Sequence, residues 1–238
     1  MRRRNRQPRP TGDRDWDILE HVMRYRMTTR DALHNTLFAD CQATAVSKVT
    51  SRLERLECLA SYNFPGARRS GAPRKYFVLG KNGVGLFGLN EKRCKPIGKQ
   101  AIVDEYGTLA YCCLGRKPRE RLTVSELQRY DSGLVKGKLA TGPYYRELTP
   151  KSDTLVFIRV DYGSTIDNLM RKCEDDIRKR MEVPAFQQLI MDGQFEIAIA
   201  TTDRLNGQRA EKIREAILRR SWPIRFRVEG VPGLFELW

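Results

Sequence analysis

Residues 13–80 set the strongest constraint on what this chain can fold into. Three short stretches of helical periodicity are followed at once by two alternating, aromatic-rich runs around a tip of Pro, Gly and Arg. Asp13 and Asp15 suit a helix N-terminus, where free N–H groups and the dipole favour anions. Trp16, Leu19, Val22 and Met23 then recur at helical spacing with Ile18 beside them, which predicts a first helix over 14–25. Arg26-Met27 makes the turn, and Thr28 or Thr29 caps a second helix running to about Phe38, with Ala32, Leu33, Leu37 and Phe38 on one face.

The third stretch, about Ala43–Leu59, carries the sharpest pattern. Val46, Val49, Leu53 and Leu56 step by 3, 4 and 3 residues and form a narrow stripe for packing. Thr44, Ser47, Lys48, Ser51, Arg52 and Arg55 sit on the other side, and the two acids Glu54 and Glu57 fall to the flank. Hydroxyl, ammonium and guanidinium groups donate hydrogen bonds to phosphates and base edges. A charged face opposite a core stripe is also what a merely solvated helix shows. The runs Ser61–Phe64 and Arg74–Leu79 alternate as strands do, and the tip between them holds Arg68 and Arg69, with Arg74 and Lys75 just beyond. Helix, helix, helix, basic hairpin in this order predicts a winged helix-turn-helix domain over residues 13–90.

Charge is distributed unevenly. Formal net charge is +15, and residues 1–99 hold 21 Lys/Arg against 9 Asp/Glu, whereas residues 100–238 hold 23 against 20. A basic half joined to a near-neutral half is the footprint of a polyanion-binding module attached to something else. Residues 1–12 read as a disordered basic arm, since Met1–Pro10 contains five arginines and two prolines with no large apolar residue after Met1. Such an arm lies in a minor groove or along phosphates, or stays solvated.

A charged stretch with Pro96 and Gly98 marks a linker over 91–100, and the rest, 101–238, reads as a mixed α/β domain. Ile102–Leu114 is predicted helical. Thr123 with Glu126 three residues on is a capping-box pattern. Thr154–Asp161 and Phe195–Thr202 are apolar enough for buried strands, followed by helices of about Thr165–Met181 and Asn206–Arg220. Trp222–Val228 reads as a third strand and Leu234–Trp238 as a short terminal one. The alternation implies a sheet with right-handed crossovers.

Six cysteines show no CxxC pair, Met1–Pro10 lacks the apolar core of a secretory signal, and no run approaches the length of a membrane span. These features predict a reduced, cytoplasmic protein that does not engage membranes. His21, His34, Cys41 and Cys58 match no common zinc-ligand spacing, and no metal is expected from them.

From Asp13 to Arg220 the chain resembles the replication-relaxation family of plasmid and mobile-element proteins. The resemblance is carried by Asp17-Ile18-Leu19, by Arg52, Leu53 and Leu56 within Ser47–Leu59, and by Lys75-Tyr76-Phe77-Val78-Leu79. Lys81-Asn82-Gly83-Val84, Ser125-Glu126, Val156–Ser164 and Lys172 extend it. It implies a winged helix followed by a domain similar to restriction-endonuclease-like nucleases. Nuclease chemistry of that type needs clustered carboxylates for a divalent metal and a lysine near the attacked phosphate. Where the family pattern has a Pro-Asp pair this chain has Gly142-Pro143-Tyr144-Tyr145, and the next acidic position holds Arg159, with Asp161 two residues on. The second domain is therefore read as a degenerate nuclease fold, and Asp161 as a turn or cap residue before Gly163-Ser164.

The expected function is sequence-specific binding of double-stranded DNA in plasmid-type replication, mobilisation or transcription regulation. Arg30, Thr44, Ser47, Lys48, Ser51, Arg52, Arg55, Arg68, Arg69, Arg74 and Lys75 form the DNA-binding set, no cofactor is required, and a homodimer is a natural arrangement for such regulators. A second reading is a Mg²⁺-dependent nickase or endonuclease using Glu126, Asp161 and Lys172. A third is a winged helix that docks a protein partner instead of DNA.

Overall fold

The computed structural model describes residues 10, 12–65, 75–115, 117, 119–135, 137–149, 152–202 and 207–237. The basic arm and the hairpin-tip residues Arg68, Arg69 and Arg74 lie outside the described residues. The chain is a mixed α+β protein that divides into two compact units, Met1–Leu109 and Ala110–Trp238. Among the described residues no helix is long and apolar enough to cross a membrane.

In the first unit, α1 (Asp13–Tyr25) buries Ile18, Leu19, Val22 and Tyr25 and stops at Arg26, whose left-handed backbone (φ 66°) turns the chain. Thr28 then pairs with Phe77 through two backbone hydrogen bonds of 2.9 Å. Thr29 caps α2 (Arg30–Leu37), its hydroxyl accepting from the Ala32 N–H at 3.2 Å. Helix α3 (Ala43–Arg55) follows, then β1 (Leu59–Asn63) and β2 (Lys75–Leu79), antiparallel with Ser61 opposite Phe77. Strand β2 is thus flanked by β1 on one side and by Thr28 on the other.

The end of α3 departs from the periodicity reading, which carried the helix to Leu59. Glu57 adopts φ 52°, its N–H reaches the Glu54 carbonyl, and the Cys58 N–H reaches back to the Leu53 carbonyl. This is a Schellman termination. It frees Leu59 to begin β1, and Cys58 and Leu59 join the same core as Val46 and Leu53 from beyond the helix. After β2, the backbone of Gly80 and Gly83 lies so close to that turn that a Cβ at either would come within 2.3 Å of a carbonyl, of Glu57 and Cys58 respectively. Only glycine fits there. Helix α4 (Lys81–Leu86) is followed by a 3₁₀ turn at Glu91–Cys94. The stretch expected as a linker is fastened to the hairpin: Tyr62 donates to the Cys94 carbonyl at 2.8 Å, and the Ile97 N–H donates to the Tyr76 hydroxyl at 3.0 Å. The chain passes from the first unit to the second within α5 (Lys99–Cys113).

The second unit is built on a four-stranded sheet of order β3-β4-β5-β6: β3 (Tyr144–Thr149), β4 (Ser152–Val160), β5 (Phe195–Thr202) and β6 (Arg225–Val231). β3 and β4 form an antiparallel hairpin, and β4, β5 and β6 run parallel. Helix α6 (Val124–Tyr130) precedes the sheet, α7 (Ile166–Met181) and α8 (Pro184–Met191) connect β4 to β5, and α9 (Gln208–Leu218) connects β5 to β6. Tyr144, Leu155, Phe157, Phe195, Ile197, Ile199 and Val228 share a core with Leu169, Cys173, Ile177, Phe186 and Ile213 of the helices. Strand β5 is buried along its whole length, as a strand covered on both faces must be.

Two of the expected strands differ in the structure. The third expected strand begins at Arg225, because Pro223 cannot supply a ladder N–H, and Trp222 instead packs its ring 4.9 Å from that of Phe226. The expected terminal strand is a 3₁₀ turn, Leu234–Leu237, set off by Gly233 at φ 74°. Leu218 is 84 % exposed at the end of α9. Strand β3 and helix α8 were not anticipated.

Candidate functional site

The outward surface of α3 concentrates the polar groups singled out in the sequence. Thr44, Lys48, Ser51 and Arg55 are exposed, Ser47 is half-buried, and Val46, Thr50 and Leu53 are buried on the far side. Steps of 4, 3 and 4 residues place the four exposed positions in one stripe along the helix. At 1.5 Å per residue the stripe is roughly 16 Å long, about five base-pair steps. Among the described residues no ion pair engages Lys48 or Arg55.

Arg52 is placed differently. Its guanidinium donates to a carboxylate oxygen of Asp15, which is fully buried in the first turn of α1, while the Arg52 side chain stays 44 % exposed. In the sequence Asp15 reads as a residue that complements the helix dipole. Its position three and four residues before Ile18 and Leu19, on the core-facing side, is the signal that marks it for burial. Arg14 was not singled out. It lies 4.9 Å over the Phe38 ring and donates to the Cys41 sulfur at 3.7 Å, immediately ahead of α3. That contact spans 27 residues, and no local pattern announces it. Arg30 is exposed at the start of α2 with its guanidinium 5.9 Å from the Phe77 ring centre, and Lys75 is exposed at the start of β2.

The two histidines have protein partners. His21 Nε2 lies 3.1 Å from the Thr28 hydroxyl, and burial together with the Arg24 charge lowers its pKa to about 4. His34 Nε2 lies 3.1 Å from the Cys41 carbonyl. Burial, together with the nearby Asp15, raises the Cys58 thiol above its usual range. Among the described residues no group of three or more His, Cys, Asp or Glu side chains is arranged to hold a metal ion.

In the second unit each residue of the nuclease reading has a structural occupation. Glu126 closes the capping box of α6: its carboxylate accepts from the Thr123 N–H at 2.7 Å, and the Thr123 hydroxyl accepts from the Glu126 N–H at 3.2 Å. Asp161, fully buried, accepts two hydrogen bonds from Arg209 at 2.5 and 2.7 Å, one from Thr201 at 2.7 Å and one from the Gly163 N–H at 3.0 Å. Lys172 sits 4.8 Å from the Tyr162 ring centre.

Other carboxylates around the sheet follow the same rule. Arg159 pairs with Asp176, Arg146 with Asp153, Arg119 with Glu229, and Arg227 bridges Glu147 and Glu196. Arg180, itself buried, donates to the Asp176 carbonyl and to the Tyr144 hydroxyl, with its guanidinium 3.8 Å from the Phe157 ring centre. A carboxylate held bidentately by arginine has its lone pairs turned to the guanidinium and away from a cation. Burial also pushes the Cys173 thiol up to about 12, outside the nucleophilic range.

No family model, curated protein or solved structure matches the chain.

Proposed function

We propose that the first unit is a winged helix that binds double-stranded DNA, with α3 in the major groove. The observation that carries this reading is the exposed Thr44, Lys48, Ser51 and Arg55 stripe, which presents two hydroxyls and two cations along one line of a helix packed on its opposite side. The order α1, Thr28 bridge, α2, α3, β1, β2 supports the winged-helix assignment, since a short extended residue between the first two helices lies beside the hairpin. Arg30 and Lys75 are read as phosphate contacts, as are Arg68, Arg69 and Arg74. The second unit is read as a restriction-endonuclease-like fold without metal chemistry, serving assembly or DNA contact. Its arginine-held carboxylates support that reading over the nickase alternative. The setting proposed is plasmid-type replication, mobilisation or transcription regulation.

The test is a mobility shift on duplexes selected from a random pool. Lys48→Ala and Arg55→Ala are each expected to weaken binding to the selected duplex about tenfold or more, as loss of a base contact does, with a much smaller loss on unselected duplex. Unchanged affinity for the selected duplex overturns the proposal.

A further inference from the structure

We infer that Arg52 is a positioning residue: its ion pair with buried Asp15 fixes the rotation of α3 about its own axis, and base selection falls to the stripe beside it. The inference rests on the duplex-binding reading above. A carboxylate with no exposure inside an apolar core is unfavourable unless a partner compensates it. Asp15 shares the buried face of α1 with Ile18, Leu19 and Val22, and its partner comes from α3, 37 residues along the chain. At about 100° per residue, Arg52 stands on the shoulder of α3, between the exposed stripe and the core stripe of Val49 and Leu53.

Apolar packing is non-directional, so a stripe of Val46, Leu53 and their neighbours tolerates small rotations of the helix. A guanidinium–carboxylate hydrogen bond does not. The C-terminal turn of α3 is held separately. The Asn82 side-chain amide donates to the Leu56 carbonyl at 2.8 Å, the Asn82 N–H to the Glu57 carbonyl at 2.9 Å, and the Gly80 N–H to the Cys58 carbonyl at 2.8 Å. With that end clasped, the Arg52–Asp15 pair supplies a directional contact in the body of the helix. Swinging Arg52 toward a base would break its hydrogen bond to the buried Asp15 carboxylate.

The experiment compares affinity for a selected duplex with affinity for random duplex, in full-length protein. Asp15→Asn and Arg52→Ala are each expected to lower that ratio about tenfold while random-duplex affinity stays within about twofold. The double variant is expected to be no worse than either single, because both break one contact. Arg52→Lys, which keeps a cation able to donate one hydrogen bond to Asp15, is expected to retain most of the ratio. The inference is overturned if Asp15→Asn leaves the ratio intact while Arg52→Lys abolishes it, the signature of direct base reading by Arg52. If the wild-type protein prefers no duplex, the DNA reading has failed by itself, and hydrogen exchange of the α3 amides then decides. Faster exchange across Ala43–Arg55 in Asp15→Asn upholds the latch, and unchanged protection overturns it.

Discussion

At the scale of single residues, the buried ionisable groups of the first unit connect its stability to pH. His21 is held neutral by burial and by Arg24, with its pKa near 4 against an unfolded value of 6.5. Between those two values the unfolded chain binds a proton that the folded chain does not, so stability rises with pH through this window. The contribution is complete above pH 6.5 and is lost as pH falls toward about 4. Partial exposure of the ring keeps the effect on the order of 2 kcal/mol. Urea unfolding followed from pH 7 to pH 4.5 is expected to show this loss in the wild type and a flatter profile in His21→Gln. Equal pH slopes in the two proteins would refute the assignment. Residues of this kind are half legible in sequence. Asp161 ahead of Gly163 reads as a turn residue, and the Gly163 N–H does bond to its side chain. Its partner Arg209 is 48 positions away, and only the fold brings the two together.

At the scale of elements, helix starts were more legible than helix ends. Thr29 and Thr123 announce α2 and α6 because a hydroxyl at an N-cap satisfies a local N–H, and the partner lies within three residues. The end of α3 carries no such announcement, since the left-handed position of its Schellman turn is occupied by glutamate where glycine is the usual residue. A non-glycine residue in that conformation costs about 1 kcal/mol. Glu57→Gly is therefore expected to stabilise the protein by about 0.5–1 kcal/mol, the relief of strain being partly offset by the freer unfolded chain. The gain would appear as a higher urea midpoint with an unchanged slope. A lower midpoint would mean that the Glu57 side chain contributes more to the fold than its backbone angle costs. The start of β6 was misplaced for a related reason: Trp222 and Ile224 look like strand residues, but Pro223 between them cannot join the ladder.

At the scale of the whole molecule, the lopsided charge is the feature from which composition alone predicts a measurable behaviour. Residues 1–99 carry an excess of twelve positive charges and residues 100–238 an excess of three. In the second unit many of the arginines are spent on carboxylates of the same unit, as Arg209, Arg159, Arg119 and Arg227 illustrate. On α3, Lys48 and Arg55 face no such partner among the described residues. Total charge therefore understates the difference between the two units in their pull on a polyanion. Binding to duplex DNA should weaken steeply with salt, because each phosphate neutralised by a fixed cation releases condensed counterions. The cations divide into two kinds by position. In the proposed complex those on the α3 stripe would face base edges, and their loss should erode discrimination between sequences. Arg30 at the head of α2 and Lys75 at the foot of β2 flank that stripe in sequence order and are suited to backbone phosphates. Arg30→Ala and Lys75→Ala are thus each expected to weaken binding to selected and random duplexes by similar factors and to reduce the slope of log affinity against log salt by about 1. Measuring that slope for the wild type and both variants separates the two kinds. A variant that loses sequence discrimination with an unchanged slope belongs to the reading stripe, and one that keeps both is no contact at all.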